Sequence, residues 1–413
     1  MMIITINPSA LKNHKQMTLL RALLEGNKDY SLWLARQTFN VKNQTIQLTH
    51  TIFSVNCSDS PLIYRIITHK PIAEGAQGSA VHAVDCAFSF IDNNTIDYYS
   101  ENMVVKIQTK PLTKENTNLL IKGSLREYHF SRLTNHLHVE KPSIVADENI
   151  LKSLIFMNRI ASMDLFTFVE HFFSTKIAST FLFMITSSLL AAYQEQVLEL
   201  GIRLHADIKP ENIMIDLGLN EKEINCLVHS DFSPNQLIIK LIDYAFCLHP
   251  NETIEKGRGT RDYSAPEMLT IKTPTSFNNE KPDIYSLGIC LNFLWFRQRN
   301  LLAKTDTQYS TKTNKLYKTF YEGESSGFSE QILASIQNII INMTHHDPLK
   351  RWSLSQSIVA INLIAKTNVD WYRSPKTQIR DTPFQFFQKS ERAFNSQNVA
   401  ALAETAALGP VFH

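Results

Sequence analysis

A short segment at residues 204–212, L-H-A-D-I-K-P-E-N, carries the residues whose types and spacing suit chemistry best. Asp207 is followed by Lys209 two positions later and by Asn212 five positions later. A carboxylate, an ammonium group and an amide in one loop can position a hydroxyl, neutralise a migrating phosphoryl group and hold a magnesium ion. The spacing therefore predicts phosphoryl transfer; a plain helix-to-strand turn at Pro210 is the structural alternative.

Phosphoryl transfer also requires groups that hold phosphates in line. Gly75 and Gly78, in A-E-G-A-Q-G-S-A-V, would let the backbone approach phosphate oxygens, although two glycines in a turn also suit a simple hairpin. Lys106 follows 28 residues after Gly78 and ends an otherwise apolar run, M-V-V-K-I. We predict that Lys106 contacts the α- and β-phosphates; a strand-end lysine that reaches solvent is the alternative.

Such a lysine needs a carboxylate partner to hold it. Glu127, in S-L-R-E-Y-H-F, lies 21 residues after Lys106 and in the middle of a helix predicted at residues 117–136. Glu115 is the competitor, but it precedes that predicted helix. We therefore predict Glu127 as the partner, with a solvated glutamate on the helix face as the alternative.

Two aspartates, Asp231 and Asp243, are candidates for a second metal ligand beside Asn212. Asp243 follows the apolar run L-I-I-K-L-I, as an aspartate at the end of a strand should, whereas Asp231 is followed by Pro234 and polar residues. Two strands of about five residues and a short turn need about a dozen residues, yet 30 residues separate Asn212 from Asp243. We predict Asp243 as the ligand and residues 217–236 as an insertion.

The elements that must position these residues change in character along the chain. Residues 63–107 form short β-rich runs, a helix is predicted at residues 117–136, and an apolar run covers residues 151–157. Helical apolar spacing then recurs in four segments, residues 165–173, 177–201, 281–296 and 329–343. Strands are predicted at residues 213–216 and 237–242. This order indicates an α+β chain with a small β-rich lobe and a larger helical lobe.

The bulk composition favours a globular protein of a reducing, cytoplasmic compartment. The 41 basic and 39 acidic residues are balanced, so nothing indicates a nucleic-acid partner. The five cysteines are scattered without a C-x-x-C pair, which argues against a disulfide framework or a zinc site. The apolar start, M-M-I-I-T-I, is too short for a signal peptide, and the uncharged residues 177–193 include five serines and threonines, so no membrane span is predicted.

Eight elements in a fixed order make the chain resemble the eukaryotic-type Ser/Thr protein kinases from about residue 64 to residue 364. Besides the segments above, the resemblance is carried by S-L-I-F-M-N-R-I-A-S-M-D-L-F, G-T-R-D-Y-S-A-P-E, E-K-P-D-I-Y-S-L-G and H-D-P-L-K-R-W. It implies a bilobal fold with ATP between the lobes, two magnesium (or manganese) ions and a protein substrate. The K-P-E-N form is similar to kinases that act on Ser and Thr rather than on Tyr.

The resemblance also implies roles for individual residues. Asp207 would accept the proton of the acceptor hydroxyl, Lys209 would lie on the γ-phosphate, and the metals would be held by Asn212 and Asp243. The nucleotide base and ribose would be contacted by Met157, Asn158, Ile160 and Asp164. Thr260 would lie near Asp207, Asp283 would brace the loop at residues 204–212, and Glu267 would pair with Arg351.

By the same resemblance the chain divides into four parts. They are an N-terminal extension at residues 1–60, a kinase N-lobe at 61–157, a kinase C-lobe at 158–366 and a tail at 367–413. One helix is predicted in the extension, with Leu20, Leu23 and Leu24 on its apolar face and a stop at Gly26.

The chain departs from the family pattern at several positions. Ala206 replaces the arginine that usually precedes the catalytic aspartate. In the family that arginine usually binds a phosphate on the activation segment, which by the resemblance is residues 243–267 here. We therefore expect activity without phosphorylation of that segment, with the extensions or an activating partner or small molecule as other means of control. Ala73 and Ala245 replace glycines, which leaves a pseudokinase that acts as a binding module as one alternative. A small-molecule kinase of the aminoglycoside or choline type, which shares the His-x-Asp pattern, is another. Kinases delivered by bacteria into a host cytosol, and viral kinases, are similarly irregular.

Overall fold

The computed structural model describes thirteen stretches of the chain, residues 2–4, 14–26, 32–55, 63–75, 78–89, 95–134, 136–147, 149–160, 163–171, 179–217, 237–254, 257–297 and 330–368. The chain forms two compact units, Met1–Ile160 and Ala161–His413. Asp231, nearly all of the predicted insertion and nearly all of the predicted tail lie outside the described residues.

The first unit is rich in β-structure, as the sequence predicts. Its helices are α1 (His14–Gly26) and α2 (Lys114–Ser131). Its strands are β1 (Met2–Ile4), β2 (Leu32–Trp33), β3 (Thr38–Val41), β4 (Gln44–Leu48), β5 (Thr51–Val55), β6 (Ile63–Gly75), β7 (Gly78–Ser89), β8 (Thr95–Pro111), β9 (Ser143–Asp147) and β10 (Ile150–Asn158). Seven strands form one sheet in the order β2-β5-β6-β7-β8-β10-β9, with every pair antiparallel.

The centre of this sheet is apolar on the face that packs inward. Val105, Leu154 and Phe156 are buried in one cluster, as expected for alternating residues on paired strands. The turn between β6 and β7 closes with Gly75 opposite Gly78. Gly78 has φ +142°, and a Cβ there would lie 2.1 Å from the carbonyl oxygen of Ile107, so only glycine fits.

The N-terminal extension is more structured than the sequence predicts. The predicted helix is confirmed as α1, but residues 32–55 also form four strands, and β2 and β5 join the main sheet. Leu20 and Leu24 of α1 share a buried cluster with Trp33, Ile46 and Tyr64. The cluster therefore includes a residue of β6, so the extension and the predicted N-lobe have a common core.

The second unit is mainly helical. Its helices are α3 (Leu165–His171), α4 (Ser179–Tyr193), α5 (Pro266–Leu269), α6 (Lys281–Phe296), α7 (Glu330–Met343) and α8 (Leu354–Asn368). Its short strands are β11 (Met163–Asp164), β12 (Ile213–Asp216), β13 (Ile238–Leu241), β14 (Thr253–Ile254) and β15 (Thr275–Ser276). The two strands predicted after the loop at residues 204–212 are thereby confirmed.

Helix α6 is the central element of the second unit, since residues 282–296 are all buried. The indole nitrogen of Trp295 donates a hydrogen bond of 2.8 Å to the hydroxyl of Thr186 on α4, which satisfies the polar atom of a large buried side chain. Within the described part of the chain, no helix is both long and apolar enough to cross a bilayer.

Two local predictions in the first unit were wrong. Helix α2 begins at Lys114, so Glu115 lies in its first turn rather than before it. The side chain of Thr113 accepts a hydrogen bond from the backbone N–H of Asn116, which caps the helix three residues earlier than predicted. Lys106 lies within β8, which continues to Pro111, rather than at the end of a strand.

Candidate active site

The loop at residues 204–212 is held in one conformation by bonds at both ends. Leu204 pairs with Leu248 in an isolated antiparallel β-bridge, where the Leu248 N–H donates to the carbonyl oxygen of Leu204 at 2.9 Å. At the other end, Pro210–Asn212 form a 3₁₀ turn that leads into β12. A proline at the start of such a turn suits its fixed φ. Ala206 has φ +62°, a left-handed conformation that residues other than glycine adopt only where the surroundings enforce it.

Asp207 is buried and its carboxylate is bonded on both oxygens. Oδ1 accepts hydrogen bonds from the backbone N–H of Thr260 at 2.7 Å and from the Thr260 hydroxyl at 2.8 Å. Oδ2 lies 3.2 Å from the amide nitrogen of Asn212 and 3.3 Å from Nζ of Lys209. The chain therefore fixes the direction of this carboxylate with donors from three residues, two in the loop itself and one at Thr260.

Thr260 joins the two charged groups of the loop. Its hydroxyl accepts a hydrogen bond of 3.1 Å from Nζ of Lys209 while it donates to Asp207. Gly259 makes this approach possible, since a Cβ there would lie 2.2 Å from the carbonyl oxygen of Ala206. The three predicted residues Asp207, Lys209 and Thr260 thus lie in mutual contact.

Asp283, an acidic residue in the first turn of α6, stabilises the backbone of the loop at residues 204–212. Its carboxylate accepts hydrogen bonds from the backbone N–H of His205 at 2.6 Å and of Ala206 at 3.0 Å. It also accepts a bond of 2.9 Å from the hydroxyl of Tyr193. Burial raises the pKa of Asp283 to about 6, while these three donors act in the opposite direction. The predicted contact with the loop is present.

The ring of His205, a residue of the loop, is fully buried. Its Nε2 is 3.1 Å from the carbonyl oxygen of Ile242, and its ring centroid is 4.9 Å from that of Tyr244. Burial lowers the pKa of His205, so the ring is neutral near pH 7. Because a carbonyl can only accept, the proton of the neutral ring lies on Nε2.

Asn212 and Asp243 are the predicted metal ligands, and both belong to the second unit. The amide nitrogen of Asn212 donates to the backbone oxygen of Asp207 at 2.9 Å and approaches its carboxylate, which leaves the amide oxygen directed elsewhere. The N–H of Ile242, beside Asp243, donates to the carbonyl oxygen of Asn212 at 3.1 Å. A carboxylate and an amide oxygen are the hard oxygen ligands that Mg²⁺ prefers.

Asp243 also has an unusual backbone. It has φ +63°, with Ile242 between it and the end of β13, and it immediately precedes a 3₁₀ turn at Tyr244–Phe246. Aspartate is one of the few residues other than glycine that adopt this left-handed conformation readily. Among the residues that the structure describes, no group of three His, Cys, Asp or Glu side chains could hold a metal by itself.

The predicted lysine–glutamate pair lies within the first unit. Nζ of Lys106 donates to Oε1 of Glu127 at 2.8 Å. The Lys106 side chain is 14% exposed and that of Glu127 is 1% exposed, so the pair is largely removed from water. Glu127 rather than Glu115 therefore contacts the lysine.

Glu267 and Arg351 form the second predicted pair. Nη1 and Nη2 of Arg351 donate to the two carboxylate oxygens of Glu267 at 2.6 and 3.0 Å. The Arg351 side chain is fully buried and also donates to the carbonyl oxygens of Lys281 and His345. A bidentate pair of this kind fixes geometry as well as charge.

The residues predicted to contact the nucleotide base and ribose are divided between the two units. Met157, Asn158 and Ile160 are half-buried at the end of the first unit, and the N–H of Asn158 donates to the carbonyl oxygen of Leu137 at 3.0 Å. Asp164 lies in the second unit, where its carboxylate accepts hydrogen bonds from the N–H and hydroxyl of Thr167. Asp164 thus caps the first turn of α3 in this structure.

One residue of the site escaped prediction from sequence. Tyr193 ends α4 and donates its hydroxyl to Asp283, 90 residues away in the chain. It lies at the end of an uncharged apolar stretch, where an aromatic residue is expected in a core. Nothing local signals its hydrogen bond.

Comparison with known proteins adds independent information. The chain matches the family model of the protein kinase domain over residues 87–361, well over half of its length. It is 24% identical over 287 residues to an Aurora kinase of Patiria pectinifera, which covers 69% of this chain and 59% of that protein. It is 26% identical over 227 residues to a serine/threonine-protein kinase of Drosophila yakuba, which covers 55% of this chain and 27% of that protein.

A shorter match is to a G-type lectin S-receptor-like serine/threonine-protein kinase of Arabidopsis thaliana. The two are 30% identical over 139 residues, which covers 33% of this chain and 14% of that protein. In each of these three cases the match covers less than two thirds of the relative.

Proposed function

This chain belongs to the protein kinase family, and on that premise we propose that it transfers the γ-phosphoryl group of ATP to Ser and Thr hydroxyls of protein substrates. The relatives named above are called serine/threonine-protein kinases or Aurora kinase, which supports this choice of acceptor. We assign the β-rich first unit to the proposed extension and N-lobe together, and the helical second unit to the proposed C-lobe and tail.

The contact between Asp207 and Thr260 is the observation that carries the proposal. The carboxylate of Asp207 already accepts a hydrogen bond from an aliphatic hydroxyl at 2.8 Å, with an ammonium group 3.1 Å from the same hydroxyl. This is the environment that a substrate serine or threonine requires while its oxygen gains nucleophilic character. We infer that the substrate hydroxyl is placed next to that of Thr260 and shares its neighbours.

Each charged residue then has a defined task. Asp207 would orient the acceptor hydroxyl and take its proton, while Lys209 would stabilise the charge on the transferred group. Lys106, held by Glu127, would bind the phosphates that remain with the nucleotide. Magnesium, held by Asn212 and Asp243, would supply positive charge to the phosphates.

We also propose that the activation segment needs no phosphate to keep its place. The methyl group of Ala206 carries no charge that could bind a phosphate, and the segment has other anchors. Strand β14 pairs with β15, and Thr260 bonds to Asp207. Glu252 accepts a bond from the N–H of His249 and lies 3.5 Å from Nη2 of Arg258. We infer that these contacts, a backbone ladder and a carboxylate, hold the segment without a phosphate.

Radiolabelled ATP with generic protein substrates tests the proposed function. Wild-type protein should transfer label to serine and threonine, as read by phosphoamino-acid analysis, while the Asp207→Ala and Asp243→Ala variants should transfer almost none. Asp216→Ala is a matched control, because Asp216 pairs with Lys240 outside the site. Label transfer that survives both site substitutions would refute the assignment, and wild-type protein that binds ATP without transfer would favour a pseudokinase.

A further inference from the structure

A row of buried polar side chains lies behind Glu127 and joins three elements of the first unit. Gln108 lies on β8, Ser124 on α2 and Ser153 on β10. Gln108 is 9% exposed, and both serines are completely buried. Polar groups in such positions are unfavourable unless their hydrogen bonds are made, so their partners indicate what they serve.

Strand pairing and helix periodicity bring these residues together. Ser153 lies directly opposite Gln108 in the antiparallel β8–β10 ladder, and Gln108 is two residues after Lys106 on the same face of β8. Ser124 and Glu127 are three residues apart and share one face of α2. That face meets the sheet at the position where Lys106 reaches Glu127.

The contacts form a continuous chain of donors and acceptors. The hydroxyls of Ser153 and Ser124 are 2.6 Å apart, and the Ser124 hydroxyl is 3.4 Å from Oε1 of Gln108. The amide nitrogen of Gln108 is 3.4 Å from Oε2 of Glu127. The Ser124 hydroxyl is within donor distance of both Ser153 and Gln108, but its one proton cannot serve two acceptors. Since either hydroxyl can be the donor of the bond between the serines, Ser153 can donate to Ser124 while Ser124 donates to Gln108.

In the contacts described, the two oxygens of the Glu127 carboxylate face different donors. Lys106 takes Oε1 at 2.8 Å, and the Gln108 amide faces Oε2. An ionised carboxylate can only accept, so the orientation of the Gln108 amide is fixed by its two neighbours. Rotation of Glu127 away from Lys106 would take its carboxylate from the buried amide nitrogen of Gln108, which is unfavourable in a low-dielectric interior.

We propose that Gln108, with Ser124 and Ser153 behind it, is a positioning residue that fixes Glu127 and thereby the ammonium group of Lys106. Gln108 acts on ATP only through this pair, so the inference rests on the proposed role of Lys106 in binding phosphates. Helix α2 is then held against the sheet by a polar connection that lies entirely within the first unit.

Steady-state kinetics of Gln108→Met tests the proposal, since methionine keeps the length of the side chain and removes its donor. We expect kcat/KM for ATP to fall about tenfold, the effect of one hydrogen bond to a charged group. The KM for the protein substrate should stay near the wild-type value. Ser124→Ala should act in the same direction, whereas Ser131→Ala, at another buried serine of α2, should not. An unchanged kcat/KM for ATP in Gln108→Met would overturn the proposal.

A double-mutant cycle separates positioning from general loss of stability. In a Glu127→Gln background, Gln108→Met should cause little further loss of kcat/KM for ATP, because the group that it positions has already been altered. If the two losses multiply in full, Gln108 does not act through Glu127 and the proposal is wrong.

Hydrogen exchange gives a measurement that does not depend on activity. In wild-type protein and in Gln108→Met, the amides of α2 are compared with those of α6 in the other unit. Faster exchange confined to α2 supports the positioning role even if wild-type protein transfers no phosphate, an outcome that would refute only the proposed function. If the α2 amides exchange equally fast in wild type and in Gln108→Met, the positioning role is wrong and the proposed function is unaffected.

Discussion

The carboxylate of Asp283 accepts a hydrogen bond of 3.0 Å from the backbone N–H of Ala206, the residue with φ +62° that immediately precedes Asp207. The same carboxylate accepts a bond from the N–H of His205. A single buried side chain thus fixes two consecutive peptide groups and enforces a conformation that alanine disfavours. The direction of the Asp207 side chain follows from this backbone.

Stability should depend on pH through Asp283. Its pKa is raised from 3.8 to about 6 in the folded protein, so the folded state binds this proton more tightly than the unfolded state does. The resulting contribution to stability is complete below about pH 4 and is lost as the pH rises through 6, a change of roughly 2–3 kcal/mol. The unfolding free energy of wild type minus that of Asp283→Asn should therefore decrease as the pH is raised from 4 to 6, as measured by denaturant titrations. A difference that is constant or rises would contradict the raised pKa.

Removal of the carboxylate that pairs with Arg351 should destabilise the second unit. Glu267→Ala leaves a fully buried guanidinium without its bidentate partner, which should reduce the unfolding free energy by about 3–5 kcal/mol. The double variant Glu267→Leu, Arg351→Met removes both charges and should recover part of this loss. Thermal and denaturant unfolding of wild type and the two variants measures these changes in unfolding free energy. A Glu267→Ala variant as stable as wild type would refute the energetic role of the pair.

The hydroxyl of Thr260 should matter more for turnover than for folding. Thr260→Val keeps the shape and the backbone N–H bond to Asp207, but it removes the hydroxyl that faces Asp207 and Lys209. We expect kcat to fall about 10–100-fold, and Thr260→Ser to retain most activity. Thr270→Val is a matched control, since that hydroxyl bonds only to the carbonyl oxygen of Pro266 among the contacts described. Equal kcat in Thr260→Val and wild type would show that this hydroxyl is dispensable.

Treatment with phosphatase should leave the activity of the wild-type protein intact. The activation segment is held by β14–β15 pairing and by Thr260, and Ala206 offers no cation for a phosphate. Mass spectrometry should verify that all phosphate has been removed before label transfer is measured. Complete loss of transfer after dephosphorylation, with recovery after rephosphorylation, would contradict the proposed independence from phosphorylation.

The parts of the site that sequence predicts well are those fixed by short spacing. Asp207, Lys209 and Asn212 fall within one loop, so their proximity follows from the chain itself, and the strand after Asn212 is confirmed. The contacts of Thr260, Asp283 and Arg351 span 51 to 84 residues, and they were expected only because the chain resembles a known family.

Other features had no local signal strong enough to predict them. Strands β2 and β5 have two and five residues, too short for a clear alternation, and their place in the main sheet depends on pairing with β6. The row from Ser153 to Gln108 forms only when β8, β10 and α2 come together in the folded chain.

The early start of α2 did have a local signal, since Thr113 followed by a lysine and Glu115 is typical of a helix N-terminus.

The most direct test of the central claim is the turnover rate of Asp207→Asn in comparison with Asp216→Asn. Both substitutions replace an ion-paired aspartate by its isosteric amide, but only Asp207 contacts Thr260 and Lys209. Loss of the general base should reduce kcat for protein phosphorylation by about 10²–10⁴-fold in Asp207→Asn, while Asp216→Asn should stay close to wild type. A kcat for Asp207→Asn within a few-fold of wild type would contradict the proposal that this loop carries out phosphoryl transfer.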